Sequence, residues 1–269
     1  MAALASAGAA ATDAETIPEK CPKFEMSLFP KREADEFGMI LPLDDLATED
    51  EKVLLQKMRK MLEVELKEAN PHDSVTGDLR MLRFLRGHGT YQRAAWMLRK
   101  HYQWRKEAEV DKVQAQVQDK EWDDIAAGGN VGLLQDYALN LHGGKSKRGD
   151  LVTYERIGDF IPSNMFNAAK GHEGFLKVQI MEMEWMNFQL NKMSREQGRI
   201  VRQFRVCDLS GVGTAHGSPD VMKYLQGFTK IAQRNYPEAL GGFIGVNVPI
   251  VFRAIFAVMR GWLHPRTVE

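Results

Sequence analysis

The run Gly211-Val212-Gly213-Thr214-Ala215-His216-Gly217 joins a strand-like segment to a helix-like one. In dinucleotide-binding proteins such glycines let the backbone approach a pyrophosphate at a helix N-terminus. An acidic residue about 20 positions on holds the ribose. Here the glycine spacing is one residue too long for that fingerprint, and the turn falls late in the chain. Counting on from Gly213 reaches Gln233 to Glu238, a helix end and a Tyr-Pro turn instead of a strand end. The loop reads as a connection, and a dinucleotide-dependent oxidoreductase remains the less favoured alternative. No Gly-x-Ser-x-Gly nucleophile turn and no Gly-x-x-x-x-Gly-Lys-Ser/Thr phosphate loop occurs. The seven histidines, His72, His88, His101, His142, His172, His216 and His264, are scattered, and none pairs at metal-ligand spacing with another His or Cys. The expectation is a non-enzymatic protein with no cofactor and no metal.

The surrounding elements alternate. Residues 49–69 carry Val53, Leu54, Met58, Met61, Leu62 and Leu66 at helical spacing. Asp78 to Arg86 predicts a short helix broken at Gly87-His88-Gly89, and Thr90 caps a longer one bearing Tyr91, Ala94, Ala95, Leu98 and Tyr102. Strands are expected at Tyr137–Leu141 and Leu151–Ile157, with a turn-rich loop, Gly143 to Asp150, between them. A helix over His172–Met193 and a strand over Arg199–Leu209 follow. Ser218-Pro219 then opens a helix whose stripe is Val221, Tyr224, Leu225, Phe228, Ile231 and Ala232. Phe243–Val248 reads as a buried strand, and Pro249 opens a last helix through about Trp262. Strands alternating with helices imply an α/β fold with a mostly parallel sheet.

The chain has 269 residues with 36 basic and 36 acidic side chains, a balance that disfavours nucleic-acid binding. Two distant cysteines, Cys21 and Cys207, give no disulfide framework and point to a reducing compartment. The alanine-rich start lacks Lys and Arg before Asp13 and Glu15, so residues 1–45 read as a disordered leader and linker. No apolar run approaches the roughly 20 residues that span a bilayer, so any membrane contact is expected to be peripheral. Between Asp78 and Glu107 stand Arg80, Arg83, Arg86, Arg93, Arg99, Lys100, Arg105 and Lys106, opposed only by those two acids. A solvated helical face is the favoured reading of that stripe. A surface drawn to anionic lipid is the other.

Leu79-Arg80-Met81-Leu82-Arg83-Phe84-Leu85-Arg86, then Ala94 to His101 and Trp104-Arg105-Lys106, resemble the N-terminal helices of CRAL-TRIO proteins. Cys207-Asp208-Leu209-Ser210-Gly211, Asn235-Tyr236-Pro237-Glu238, Gly241, Asn247-Val248-Pro249 and Leu263-His264-Pro265-Arg266-Thr267 resemble further motifs of that family, in order. The likeness covers about residues 50–269, and the nearest branch looks like the yeast-type phosphatidylinositol and phosphatidylcholine transfer proteins. It implies a small helical N-terminal subdomain (46–110) on an α/β lipid-binding domain (125–269) with an apolar pocket floored by the sheet and a gating lid helix. The family has a further strand and helix, so the chain is expected to be truncated at its C-terminus.

The implied ligand is one phospholipid or other hydrophobic molecule, exchanged or presented at membranes by a monomeric, cytoplasmic, peripherally associating protein. A lipid-sensing signalling module is the alternative. Residues 250–259 are apolar on nearly every face, which pattern alone reads equally as a core helix or a lid. The resemblance favours the lid, with Phe252 and Phe256 meeting lipid and Arg253 and Arg260 placed for phosphate. It implies headgroup contacts from Glu238 and Thr267, expected close in space. It also places Phe228, Tyr154, Gln203 and Arg205 along the lipid site. Gln203 and Arg205 stand where phosphatidylcholine binders of this kind carry small hydroxyl residues, which weakens that lipid. His88-Gly89 replaces a basic pair usual in phosphoinositide binders.

Overall fold

Thr48 opens the first helix by a reciprocal cap. Its hydroxyl accepts from Glu51 N at 3.2 Å, and Glu51 Oε2 accepts from Thr48 N at 3.0 Å. The computed structural model describes residues 16–23, 25, 46–127 and 140–263. Helices α1 (Glu49–Met61) and α2 (Glu63–Glu68) replace the single helix expected over 49–69, parting where the fully buried Leu62 leaves helical geometry. Then come α3 (Asp73–Thr76), α4 (Asp78–His88), α5 (Tyr91–Glu107), α6 (Val110–Val117) and α7 (Trp122–Ala127). Helix α4 runs through Gly87, where a break was expected, and ends at Gly89 with φ 83°. That backbone region favours glycine. Thr90 caps α5, its hydroxyl accepting from Arg93 N at 3.3 Å.

The α/β part comprises β1 (Asn140–Lys145), β2 (Leu151–Arg156), α8 (Pro162–Ala168), α9 (His172–Gln197), β3 (Gln203–Asp208), α10 (Pro219–Asn235), β4 (Leu240–Val246) and α11 (Ile250–Arg260). The sheet order is β1-β2-β3-β4, with β1 antiparallel to β2 and the other pairs parallel. Of the strand expected at 137–141, positions 137–139 lie outside the described residues. Strand β1 extends to Lys145, so the turn contracts to Ser146–Asp150, closed by Ser146 N donating to Asp150 O at 2.8 Å. Right-handed crossovers between strands added in one direction lay their helices on one face. Helices α9 and α10 lie in the connections between these parallel strands and pack on each other.

Apolar spacing explains two cores. Leu55, Met58, Leu62, Met81, Phe84 and Leu98 pack α1, α4 and α5 together, and Ile200 joins them from the α/β part. Phe175, Val178, Trp185, Leu190, Val201 and Tyr224 form the second, around α9. Strand β4 departs from expectation. Its apolar run reads as buried, yet Phe243, Ile244 and Val246 are exposed, because among the described residues it pairs only with β3. No helix among the described residues is long and apolar enough to cross a membrane.

Candidate functional site

Strand alternation divides the predicted site residues. In the β2–β3 register Thr153 lies opposite Arg205, and Tyr154 opposite Val206. Gln203, Arg205 and Cys207 therefore share the helix-covered face with Thr153 and Glu155. Gln203 Nε2 donates to Thr153 Oγ1 at 2.8 Å. Arg205 pairs with Glu155 at 2.6 Å and Glu182 of α9 at 3.5 Å. Burial alone would lower the Arg205 pKa, but the two carboxylates reverse this and raise it. The same burial, with Glu155 nearby, pushes the Cys207 thiol up to about 12. The floor is thus polar and internally paired. Beside it stand the rings of Phe160, Phe166, Phe175 and Tyr224, and Phe228 stacks on Tyr224 at 6.2 Å. Tyr154 does not join this group, because it is on the other face and its hydroxyl donates to Asp208 at 3.1 Å.

Two of the quoted motifs meet at the ends of β3 and β4. Asn247, at φ 53°, donates from Nδ2 to Asp208 Oδ1 at 2.9 Å, and Ser210 N donates to the same oxygen at 2.9 Å. These bonds and that of Tyr154 hold the Asp208 carboxyl well below the usual range. In the glycine loop, Gly211 at φ 81° crosses against Gly158, where a β-carbon would stand 3.4 Å from the Gly158 backbone. Gly213 N donates to His216 Nδ1 at 3.1 Å, and His216 Nε2 donates to Phe160 O at 2.9 Å. The N–H that a pyrophosphate cradle would use is therefore already engaged. Among the described residues no cluster of three or more His, Cys, Asp or Glu is placed to hold a metal ion.

The basic stripe on α4 and α5 is not a solvated face, nor a lipid surface, at Arg80, Arg83 and Arg105, which are buried. Arg80 donates to Asn187 Oδ1 at 2.8 Å and to His101 Nε2 at 2.9 Å. Arg83 donates to four acceptors: Asn191 Oδ1, Ser194 Oγ, Val201 O and Glu238 O. Arg105 meets Glu184 at 2.9 Å and Gln114 at 2.8 Å. Burial pushes Arg83 down to about 9, with Arg202 adding to the shift, so it stays charged at neutral pH. Buried charges need such partners because an unpaired one costs several kcal/mol, on the order of the whole stability. At the edge of the interior Arg86 pairs with Glu51, and Arg99 pairs with Glu65.

These arginines grip the Asn-Tyr-Pro-Glu turn. His101 Nδ1 donates to Asn235 Oδ1 at 3.0 Å. Tyr236 donates to Glu184 at 2.7 Å, and Arg80 lies 5.2 Å from its ring centroid. A β-carbon on Gly87 would stand 2.5 Å from Pro237 Cβ, which is why α4 has no side chain there. Glu238 sits at φ 57°, its carboxylate accepting from Arg202 Nη2 at 2.7 Å. The residues missed by sequence reading are the acceptors on α9. Glu184, Asn187, Asn191 and Ser194 form a buried polar row at spacings of three and four on this helix, a signal that was there to find. Thr267 lies outside the described residues, as do His264 to Arg266.

Helix α11 lies at the carboxyl end of β3. Ile255 is buried against Cys207, Leu209 and Val212, and Phe252 packs beside them. The Phe252 and Phe256 rings stack at 6.1 Å, sharing a face. The rest of this apolar helix faces out: Ile250 is 83% exposed, Val258 52% and Phe256 37%. That is not the burial of a core helix. Arg253 and Arg260 are exposed on it.

Comparison with known proteins sets this arrangement in a family. Residues 135–269 match the CRAL/TRIO domain. The phosphatidylinositol/phosphatidylcholine transfer protein SFH7 of Arabidopsis thaliana is 29% identical over 193 residues, 70% of this chain but 33% of that protein. The SEC14 cytosolic factor of Kluyveromyces lactis is 25% identical over 258 residues, 95% of this chain and 76% of that one. Against the crystal structure of Sfh5 the TM-score is 0.60 at 18% identity, covering 83% of this chain and 79% of that one, which shows the shared fold. The matched region holds the sheet, the Asp208–Asn247 junction, the Tyr-Pro turn and α11, and the chain belongs to the CRAL/TRIO domain family.

Proposed function

We propose that the protein binds one phospholipid between the sheet and α11 and exchanges or presents it at a membrane surface, without catalysing a reaction. The observation that carries this reading is α11: an apolar helix seated by Ile255 yet exposed along most of its length. Exposed apolar surface of this kind marks a lipid or protein contact. Relatives named as phosphatidylinositol/phosphatidylcholine transfer proteins and as cytosolic factors support the reading. They also support a cytoplasmic protein that visits membranes.

Phosphatidylinositol is the favoured lipid, because Gln203 and Arg205 are committed to Thr153, Glu155 and Glu182 on the floor. In this reading Arg253 and Thr267 meet phosphate, Phe252, Phe256 and Phe228 meet acyl chains, and Glu238 chiefly anchors the turn through Arg202. Native mass spectrometry of protein purified from cells tests it. A single co-purifying phospholipid is expected, and protein free of lipid that also takes none from vesicles refutes the reading. Transfer between donor and acceptor vesicles separates an exchange protein from a lipid-sensing module, which would bind without transferring.

A further inference from the structure

The C-terminal half of α10 carries a cleft of about 250 Å³ lined by Gln226, Thr229, Lys230, Gln233, Arg234 and Trp262. The five helical residues recur at spacings of three and four, so they share a face. Trp262, just past the end of α11, also lines the cleft, and its main-chain carbonyl accepts from Gln233 Nε2 at 3.0 Å. Lys230 and Arg234 are exposed, one turn apart, and have no ion-pair partner among the described residues. No carboxylate lines the cleft.

Cations near a helix C-terminus gain roughly 0.3–1 kcal/mol from the dipole, which accounts for a Lys or an Arg there. It does not account for Trp262 in the lining, the glutamine bond to its carbonyl or the lack of acids there. Like charges one turn apart also cost a few tenths of a kcal/mol unless an anion is shared. A carboxylate needs only the arginine fork. A phosphomonoester, with a charge of about −1.5 to −2 at neutral pH, matches a guanidinium and an ammonium together, and its remaining oxygens can accept from Gln226 and Thr229.

We propose that this cleft binds a phosphomonoester anion, supplied by a lipid headgroup in the bilayer or by a soluble phosphate. The site is separate from the sheet floor and does not rest on the internal lipid.

The test uses the full chain in two arms. In the first, the indole N–H signal of Trp262, assigned with Trp262→Phe, is followed by NMR during titration with inorganic phosphate and with chloride at matched ionic strength. In the second, sedimentation is compared on phosphatidylcholine vesicles doped with phosphatidic acid or, at equal charge, with phosphatidylserine. Lys230→Gln/Arg234→Gln is compared with Lys52→Gln/Lys67→Gln on α1 and α2, which removes the same charge. Should the double variant fail to fold, Lys230→Gln alone replaces it. The expected result is a phosphate-specific indole shift, and binding weakened at least tenfold by the cleft variant but less than threefold by the control. A preference for phosphatidic acid, lost in the cleft variant, assigns the lipid source. An indole shift without that preference assigns the soluble one. No response in either arm, or equal losses in the two variants, overturns the proposal.

Discussion

Arg83 Nη1 donates to the main-chain carbonyl of Glu238 at 2.7 Å, across 155 residues of sequence. The bond ties the first helical layer to the turn that leads into β4. The same guanidinium holds Val201 O at 2.9 Å, just ahead of β3. One side chain thus fixes the entry of two neighbouring strands. Arg83→Met would remove the donor to Asn191 Oδ1, Val201 O and Glu238 O, while Ser194 Oγ keeps its bond from Val201 N at 2.9 Å, and about 3–5 kcal/mol of stability should be lost in urea denaturation. A loss under 1 kcal/mol would show that the four bonds contribute little.

Glu238→Gln separates an anchor from a headgroup ligand. It removes the negative charge that faces the buried Arg202 guanidinium at 2.7 Å, so stability should fall by about 2–4 kcal/mol. Phosphatidylinositol transfer, measured well below the melting temperature, should stay within threefold of the parent. Transfer lost with stability intact would instead make the carboxylate a direct ligand of the lipid.

His101 is buried between Arg80 and Asn235, and burial, then the nearby Arg80 and Arg105, hold its pKa well below the ordinary value of about 6.5. The unfolded chain therefore binds a proton that the folded one rejects. The contribution is fully present above pH 6.5 and shrinks as pH falls from there towards the folded pKa, by at most about 1.4 kcal/mol per unit. Denaturation curves at pH 7.5 and 5.5 should show the loss, and His101→Gln should flatten it. An equal slope in that variant would assign the effect to other groups.

Phe252→Asp/Phe256→Asp tests the gating role of α11. Both rings lie on one face of a largely exposed helix, so circular dichroism should change little while lipid transfer falls at least tenfold. Normal transfer would remove α11 from the gate. Unfolding would make it a structural helix.

Alternation and helical spacing placed most elements within a few residues. The Thr90 cap, the Pro219 start and the mostly parallel sheet were all legible. Burial was not. Arg80, Arg83 and Arg105 sit on helices rich in exposed cations, and counting charge does not reveal which of them face inward. That depends on the polar row Glu184, Asn187, Asn191 and Ser194 on another helix, a pairing no local pattern contains. The exposure of β4 was hidden for a similar reason, since an apolar run reads as buried whether or not a neighbour exists. At the site, Gln203 and Arg205 came together as period two requires, and the same period sent Tyr154 to the opposite face.

The missing side chain at Gly87 sets how closely α4 can approach the turn at Pro237. Gly87→Ala would add one methyl at 2.5 Å from a rigid ring carbon. Overpacking of that kind costs about 1–3 kcal/mol. Alanine returns up to about 1 kcal/mol through its helix propensity. The steric cost exceeds the gain, and the net loss weighs more on warming as total stability shrinks. The variant should therefore behave as a heat-sensitive allele, active in cool cells and lost a few degrees higher, and a growth or transfer assay at two temperatures would reveal it. A position with no side chain thereby becomes a practical handle for switching the protein off in a living cell.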